Sequence, residues 1–102
     1  MKITIKEKEI ELKNTFRSMI IYEKINGKSF NPKGLTEIIL YFYCVVMASD
    51  KDLDLEFEEF VEYLDNNPSL LTEFSVWLNK IFSINNFING EVEKDNENPK
   101  KA

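Results

Sequence analysis

The feature that most constrains the fold is an apolar run at residues 38–48, IILYFYCVVMA, which contains no charged residue, no Gly and no Pro. A helix that is apolar on every side must be covered on every side, so the run predicts a central helix around which the other segments pack. As a helix it would be about 17 Å long, whereas the hydrocarbon core of a bilayer is ~30 Å thick. We therefore expect a core helix and not a membrane span.

The alternative for this run is a β-strand, because Ile, Tyr, Phe and Val also favour strands. The run is longer than an ordinary strand, however, and Leu35-Thr36-Glu37 before it is typical of a helix start. The helix is the prediction.

Composition indicates one soluble globular domain. The chain has 102 residues, of which 43% are hydrophobic and 30% are charged. The single Cys44 lies inside the central run, where it cannot form an internal disulfide and is expected to act as a small buried apolar residue. The N-terminal segment alternates Lys with Ile and has no continuous apolar region, so we expect no signal peptide and a cytoplasmic protein.

The charge is unevenly distributed along the chain, whose net charge is -5. Residues 1–34 carry eight Lys or Arg against four Glu, whereas residues 35–90 carry two Lys against ten Asp or Glu. Binding to a nucleic-acid backbone calls for a concentrated basic patch, so we expect no nucleic-acid partner. The acidic half is interpreted as a solvated surface; the alternative is that it steers a basic partner.

The N-terminus alternates apolar and charged residues, as a half-buried hairpin does. Residues 2–6, KITIK, and 9–13, EIELK, would form two strands that place their apolar residues on one face. Glu7-Lys8 lies between them and is not the Asn-Gly type that suits a two-residue turn. Either the loop is longer or the pairing is shifted by one residue. The apolar face comprises Ile3, Ile5, Ile10 and Leu12.

A first helix is predicted for residues 16–25, with Thr15 as its N-cap and Asn26-Gly27 as its C-terminal stop. Phe30 is the one residue of the following loop that we expect to be anchored in the core. The predicted inward positions of this helix are Phe16, Met19, Ile20 and Ile25.

Two further helices follow the central one. Asp54 is the predicted N-cap of the third, whose apolar stripe is Phe57, Phe60, Val61 and Leu64. Asn67-Pro68 separates it from the last helix, which has the strongest amphipathic pattern in the chain. Its apolar residues are Leu70, Leu71, Phe74, Trp77, Leu78, Ile81 and Phe82.

These segments predict an α+β fold, in which a short N-terminal β-hairpin is packed on a four-helix, mostly α-helical domain with a central apolar helix. The predicted domain covers residues 1–84. Residues 85–102 are Asn-rich and then charged, and are expected to form a flexible polar tail.

No pattern in the chain predicts catalytic or cofactor-binding residues. It contains no His, the commonest general base and metal ligand, and its three glycines are scattered. Asp50, Asp52 and Asp54 have the spacing of the first three ligands of an EF-hand loop, but the sixth position is Leu55 and the twelfth is Val61. A polar connection that ends in a helix cap explains the same acids, so neither a metal site nor a cofactor is predicted.

The chain has a surplus of aromatic side chains: eight Phe, four Tyr and one Trp. Core packing could absorb most of them; the alternative is an exposed aromatic groove, whose natural occupant is an amphipathic helix. The candidate partner-binding residues are Tyr41, Tyr43, Phe74, Trp77, Ile81 and Phe82.

In the order of its segments the chain resembles the small tail assembly chaperones of long-tailed bacteriophages and prophages. The resemblance covers residues 2–82 and depends on the ordered whole, because no segment is a catalytic signature. Glu7-Lys8 departs from the Asn-Gly turn associated with such hairpins. The stretches that carry the resemblance are ITIKEKEIELKNTFRSMIIYEKINGKSFNP, with Tyr22-Glu23 and the NGKSF turn, YCVVMAS, LEFEEFVEYLDNNP and LLTEFSVWLNK.

The resemblance implies a non-enzymatic chaperone in the bacterial host cytoplasm. It would bind the long, helical, apolar tape-measure protein and keep it soluble until tail-tube subunits polymerise around it. In many such families a programmed frameshift adds a second domain, and Lys100-Lys101 is compatible with a slippery run of A residues. The implied partners are the tape-measure protein, the tail-tube protein and a longer form of the chain itself, with a homo-oligomer left open.

Two other classes of function remain as alternatives. A small acidic adaptor or inhibitor would share the acidic surface but would bind one folded partner. A calcium-dependent module would use Asp50, Asp52 and Asp54, and a calorimetric titration with Ca²⁺ that gives no heat would eliminate it.

Overall fold

The computed structural model describes the backbone of residues 1–89 and the side chains of residues 1–82. It consists of an N-terminal hairpin and four helices, so the predicted α+β class is confirmed. The described residues divide into two compact units, residues 1–71 and the residues from 72 onward. The elements are β1 (Lys2–Ile5), β2 (Lys8–Glu11), α1 (Phe16–Asn26), α2 (Gly34–Ser49), α3 (Phe57–Asn66) and α4 (Ser69–Asn89).

The hairpin is antiparallel and turns one residue earlier than Glu7-Lys8. Ile5 pairs with Lys8, so the two-residue turn is Lys6-Glu7, and both turn residues have positive φ, 51° and 63°. Such angles match the twist of the flanking strands but are uncommon outside Gly, Asn and Asp. The loop is therefore not longer; the pairing is shifted, and by two positions instead of one, because Ile3 pairs with Ile10 where a Glu7-Lys8 turn would pair it with Leu12.

The shifted pairing is supported by contacts from far along the chain. The Lys6 ammonium donates to the Asp54 carbonyl oxygen and lies 3.3 Å from the Glu59 carboxylate. The Lys8 ammonium lies 2.7 Å from the Asp50 carboxylate. The predicted apolar face is unchanged, and its four residues, Ile3, Ile5, Ile10 and Leu12, are all buried.

Helix α2 is the central element, as its apolar run predicts. It packs against α1, α3 and β2. The Phe42 and Phe60 rings meet edge to face at 5.0 Å, which joins α2 to α3. The fully buried residues of α2 are Tyr41, Phe42, Cys44, Val45 and Val46.

Helix α1 has the predicted ends. The Thr15 hydroxyl accepts from the Ser18 amide at 3.2 Å, and the Ser18 hydroxyl accepts from the Thr15 amide, which closes a capping box. Gly27 ends the helix in the left-handed region, with φ 77°, and its amide donates to the Glu23 carbonyl oxygen at 2.8 Å.

The predicted inward face of α1 is wrong for three of its four residues. Phe16, Ile20 and Ile25 are 83%, 52% and 54% exposed. The buried residues of α1 are Ser18 and Tyr22. The helix is turned this way because the Tyr22 ring packs edge to face against two rings, those of Phe30 and Tyr41, at 5.6 and 5.7 Å.

Helix α3 has the predicted apolar stripe but a different N-cap. Phe60 and Leu64 are buried, and Phe57 and Val61 are half-buried. Asp54 is not the cap: the helix begins at Phe57, Glu56 occupies the N-cap position, and the Glu59 carboxylate accepts from the Glu56 amide at 2.9 Å.

Helix α4 follows Asn67-Pro68 and continues to Asn89. The predicted boundary at residue 84 therefore falls inside the helix, and residues 85–89 of the predicted tail are helical. Residues 90–102 of that tail lie outside the described residues. Among the helices described, none combines the length and the hydropathy needed to cross a bilayer.

Candidate partner-binding surfaces

The exposed apolar residues of α4 form the first candidate surface. Trp77 and Ile81 are four residues apart, so they are neighbours on one side of the helix, and each is half-exposed. Val76, next to Trp77, is 59% exposed. The Trp77 ring lies 5.8 Å from the buried Phe74 ring. Val76 lies about 100° around the helix from Trp77 and about 140° from Ile81, so it is not part of this row. We call Trp77 and Ile81 the α4 surface.

Two of the predicted partner-binding residues of α4 do not extend this surface. Phe74 is fully buried. Phe82 is half-buried and lies five residues after Trp77, about 140° around the helix, on the far side of the buried Leu78. The structure therefore brings together Trp77 and Ile81 out of the four residues predicted on this helix.

The two predicted tyrosines of α2 have internal partners. Tyr41 is fully buried; its hydroxyl donates to the Asn14 side-chain oxygen and lies 3.0 Å from the Ser18 hydroxyl. Burial raises the pKa of Tyr41 to about 12. The half-buried Tyr43 donates to the Leu55 carbonyl oxygen at 2.6 Å. Of the two, Tyr41 presents no surface to a partner.

A second candidate surface lies on α1 and was not predicted from the sequence. Phe16 and Ile20 are four residues apart on the side of α1 that faces away from Tyr22. Arg17 and Lys24 are also exposed, three residues before and four residues after Ile20, so all four side chains are adjacent. We call Phe16, Arg17, Ile20 and Lys24 the α1 surface.

A sequence signal for the α1 surface does exist. Six of the eleven residues of α1 are apolar or aromatic, and they cover more than half of its circumference: Phe16, Met19, Ile20, Ile21, Tyr22 and Ile25. A helix packed on one side only cannot bury them all, so some had to face outward. The pattern did not indicate which ones.

The hairpin and α3 enclose an open cleft of about 300 Å³ within residues 1–71. The buried Ile5 and Leu55 line it together with the exposed Lys6, Glu59 and Glu62. The Lys6–Glu59 ion pair lies at this cleft, and the Glu56 amide and the Lys6 ammonium both lower the pKa of Glu59. The two charged groups are thus already partnered.

The groups that resembled chemical sites are also occupied or inert. Lys8, which is paired with Asp50, lowers the pKa of that carboxyl, and the Asp52 amide donates to Asp50 at 3.1 Å. Burial raises the pKa of the Cys44 thiol to about 12, so the thiol stays protonated at neutral pH. Residues 1–89 contain no group of three or more side chains placed to hold a metal ion.

No known family model, curated protein or solved structure matches this chain.

Proposed function

We propose that the chain is a tail assembly chaperone of a long-tailed bacteriophage or prophage, acting in the host cytoplasm. It would bind apolar helical segments of the tape-measure protein and keep them soluble during tail assembly. The proposal starts from the resemblance of residues 2–82 to that family. The half-exposed row of Trp77 and Ile81 on α4 is the observation that carries it.

The chemistry of the α4 surface suits a helical client. Trp77 and Ile81 form a short apolar row on a helix, and a client helix can lay its own apolar stripe against such a row. Large side chains such as Trp dominate the binding energy of protein interfaces because they remove much apolar area from water. A weak, extended contact of this kind would hold an apolar chain and still release it to tail-tube subunits.

A co-expression assay tests this function. The wild-type chain should raise the soluble fraction of a tape-measure segment rich in apolar helix, and the double variant Trp77→Ser with Ile81→Ser should lose most of the effect. Leu35→Ser is the matched control, because Leu35 is 64% exposed on another helix. Circular dichroism would establish that each variant is still helical.

Two results would contradict the proposal. The first is a tape-measure segment that stays insoluble in the presence of the wild-type chain. The second is a double variant that protects the segment as well as the Leu35→Ser control does. If the chain captured a folded globular protein in preference to apolar helices, that result would favour the adaptor or inhibitor alternative.

The coding DNA provides an independent test. A slippery A-rich run across residues 99–102, an overlapping frame and a very long helical reading frame downstream are expected. Their absence would remove the predicted longer form and the predicted tape-measure partner together.

A further inference from the structure

We infer that the α1 surface is a second docking site, which binds a helical protein segment whose apolar stripe is bordered by acidic residues. This inference does not depend on the proposed function, because it concerns another helix and a partner of different charge. The observation behind the inference is that the exposed Phe16 and Ile20 side chains lie next to the cations of Arg17 and Lys24.

The apolar part of the α1 surface is unusually exposed for its residue types. Phe16 is 83% exposed and Ile20 is 52% exposed, although a Phe and an Ile in one domain are ordinarily among its most buried residues. The same helix buries Ser18 completely on its opposite side. Two large apolar side chains one turn apart on a helix have the spacing that an i, i+4 row of a second helix matches.

The charges around this row indicate the sign of the partner. Arg17 and Lys24 are exposed and form no ion pair with any residue that the structure describes. One carboxylate, that of Glu23, also lies beside the row and accepts from the Phe30 amide at 2.6 Å, so the row is bordered by two cations and one anion. The cations available beside the row therefore favour carboxylates on the occupant, which would border its apolar stripe.

A protein partner fits this surface better than a lipid or nucleic-acid surface. Stable attachment to an anionic membrane or a phosphate backbone uses clusters of cations, whereas the α1 surface has two. A short helix with a few carboxylates needs no larger basic patch.

The test uses the full chain and two fluorescein-labelled amphipathic peptides. Both share one apolar stripe at helical spacing; one has Glu at the border positions and the other has Lys. In fluorescence anisotropy at low salt, the Glu-bordered peptide should bind about tenfold more tightly than the Lys-bordered one. Added salt should reduce this ratio.

Variants assign the binding to residues. In a Trp77→Ser with Ile81→Ser background, which removes the α4 surface, Phe16→Ser with Ile20→Ser should abolish binding of both peptides, and Arg17→Glu with Lys24→Glu should reverse the preference between them. Val76→Ser on α4 is the matched control and should leave binding unchanged. Trp77→Ser with Ile81→Ser removes the α4 surface and leaves the α1 surface intact, so failure of the client assay and failure of this assay can be told apart.

Several outcomes would overturn the inference: no binding of the Glu-bordered peptide, equal binding of both peptides, or binding that survives the Phe16 and Ile20 substitutions. Sedimentation that shows self-association lost on Phe16→Ser with Ile20→Ser would mean that a second copy is the occupant. Binding to phosphatidylserine vesicles that depends on Phe16 would mean that the surface is a membrane contact.

Discussion

Helices α1 and α2 are both rich in apolar residues, yet they bury them to very different extents. Helix α2 has five fully buried residues and packs against three other elements. Helix α1 packs mainly on α2, and its Phe16 is 83% exposed. Helix α2 is also the more apolar of the two, so burial here follows both the apolar content of a helix and the number of elements that surround it.

The contrast also separates two uses of aromatic side chains. Phe42 on α2 joins the core through an edge-to-face contact with Phe60. Phe16 on α1 remains in solvent, where it stabilises nothing in the free chain. Large side chains that bring no stability to the fold are the ones whose role lies outside it, which is the physical reason for treating the α1 surface as an interaction site.

The largest expected difference comes from removing one Phe from each helix. Phe42→Ala should lower the free energy of unfolding by about 3–5 kcal/mol, because it leaves a cavity in the core. Phe16→Ala should change it by no more than about 0.5 kcal/mol, because the side chain is exposed. Urea denaturation of the two variants measures both values, and similar losses would show that Phe16 is buried in solution.

A second prediction concerns the polar contact that joins the two helices. Tyr41→Phe should cost about 1–3 kcal/mol, since it removes the hydroxyl that Asn14 and Ser18 share and leaves the half-buried Asn14 side-chain oxygen without this donor, while Ser18 keeps its hydrogen bonds to Thr15. Tyr43→Phe is the matched control; because Tyr43 is half-buried and makes one contact, a smaller loss is expected. Equal losses would mean that the Tyr41 network contributes nothing special.

The same tyrosine gives the protein a pH dependence. The pKa of Tyr41 is about 12 in the folded chain and about 10 when unfolded, so folding favours the protonated hydroxyl. The contribution of Tyr41 to the free energy of unfolding is complete below pH 10 and is lost as the pH rises through 12. The free energy of unfolding should fall over this range, and it should fall less steeply in Tyr41→Phe. Both proteins are compared in a Cys44→Ala background, because burial also raises the pKa of Cys44.

The smallest effect is expected at the end of α1. Gly27→Ala should destabilise the chain by about 1 kcal/mol, because its φ of 77° is unfavourable for a residue with a β-carbon. No atom lies within 4 Å of that carbon, so the cost is backbone strain alone. Gly27→Asn should cost less, since Asn tolerates the left-handed region; a fully stable Gly27→Ala would show that the helix ends elsewhere.

Much of the local structure was predictable because it depends on neighbouring residues. Thr15 and Gly27 bound α1 as predicted, since capping is a contact within a few residues. The shared face of Ile3 and Ile10 also followed from alternation alone. Moving the turn by one residue changes the strand partners by two positions, a full period of the alternation, so the same side chains stay inward.

The misses involve contacts between distant residues. The N-cap of α3 is Glu56 and not the predicted Asp54. The Asp54 carbonyl oxygen instead accepts from Lys6, which is 48 residues away in the sequence. The α4 surface was predicted in part: Trp77 and Ile81 share a side of the helix, whereas Phe74 is buried. Spacing along one helix cannot tell an inward apolar residue from an outward one when apolar residues occur on both sides.

The sequence by itself determined the elements, the caps of α1 and the central place of the apolar helix, because hydrophobic periodicity and capping act over a few residues. Only the tertiary structure decided which side of α1 is buried. The Tyr22 ring packs with Phe30 and Tyr41, and this turns Phe16 and Ile20 outward. Local propensity is nearly indifferent between the two sides of such a helix, so the packing of rings brought together by the fold makes the choice.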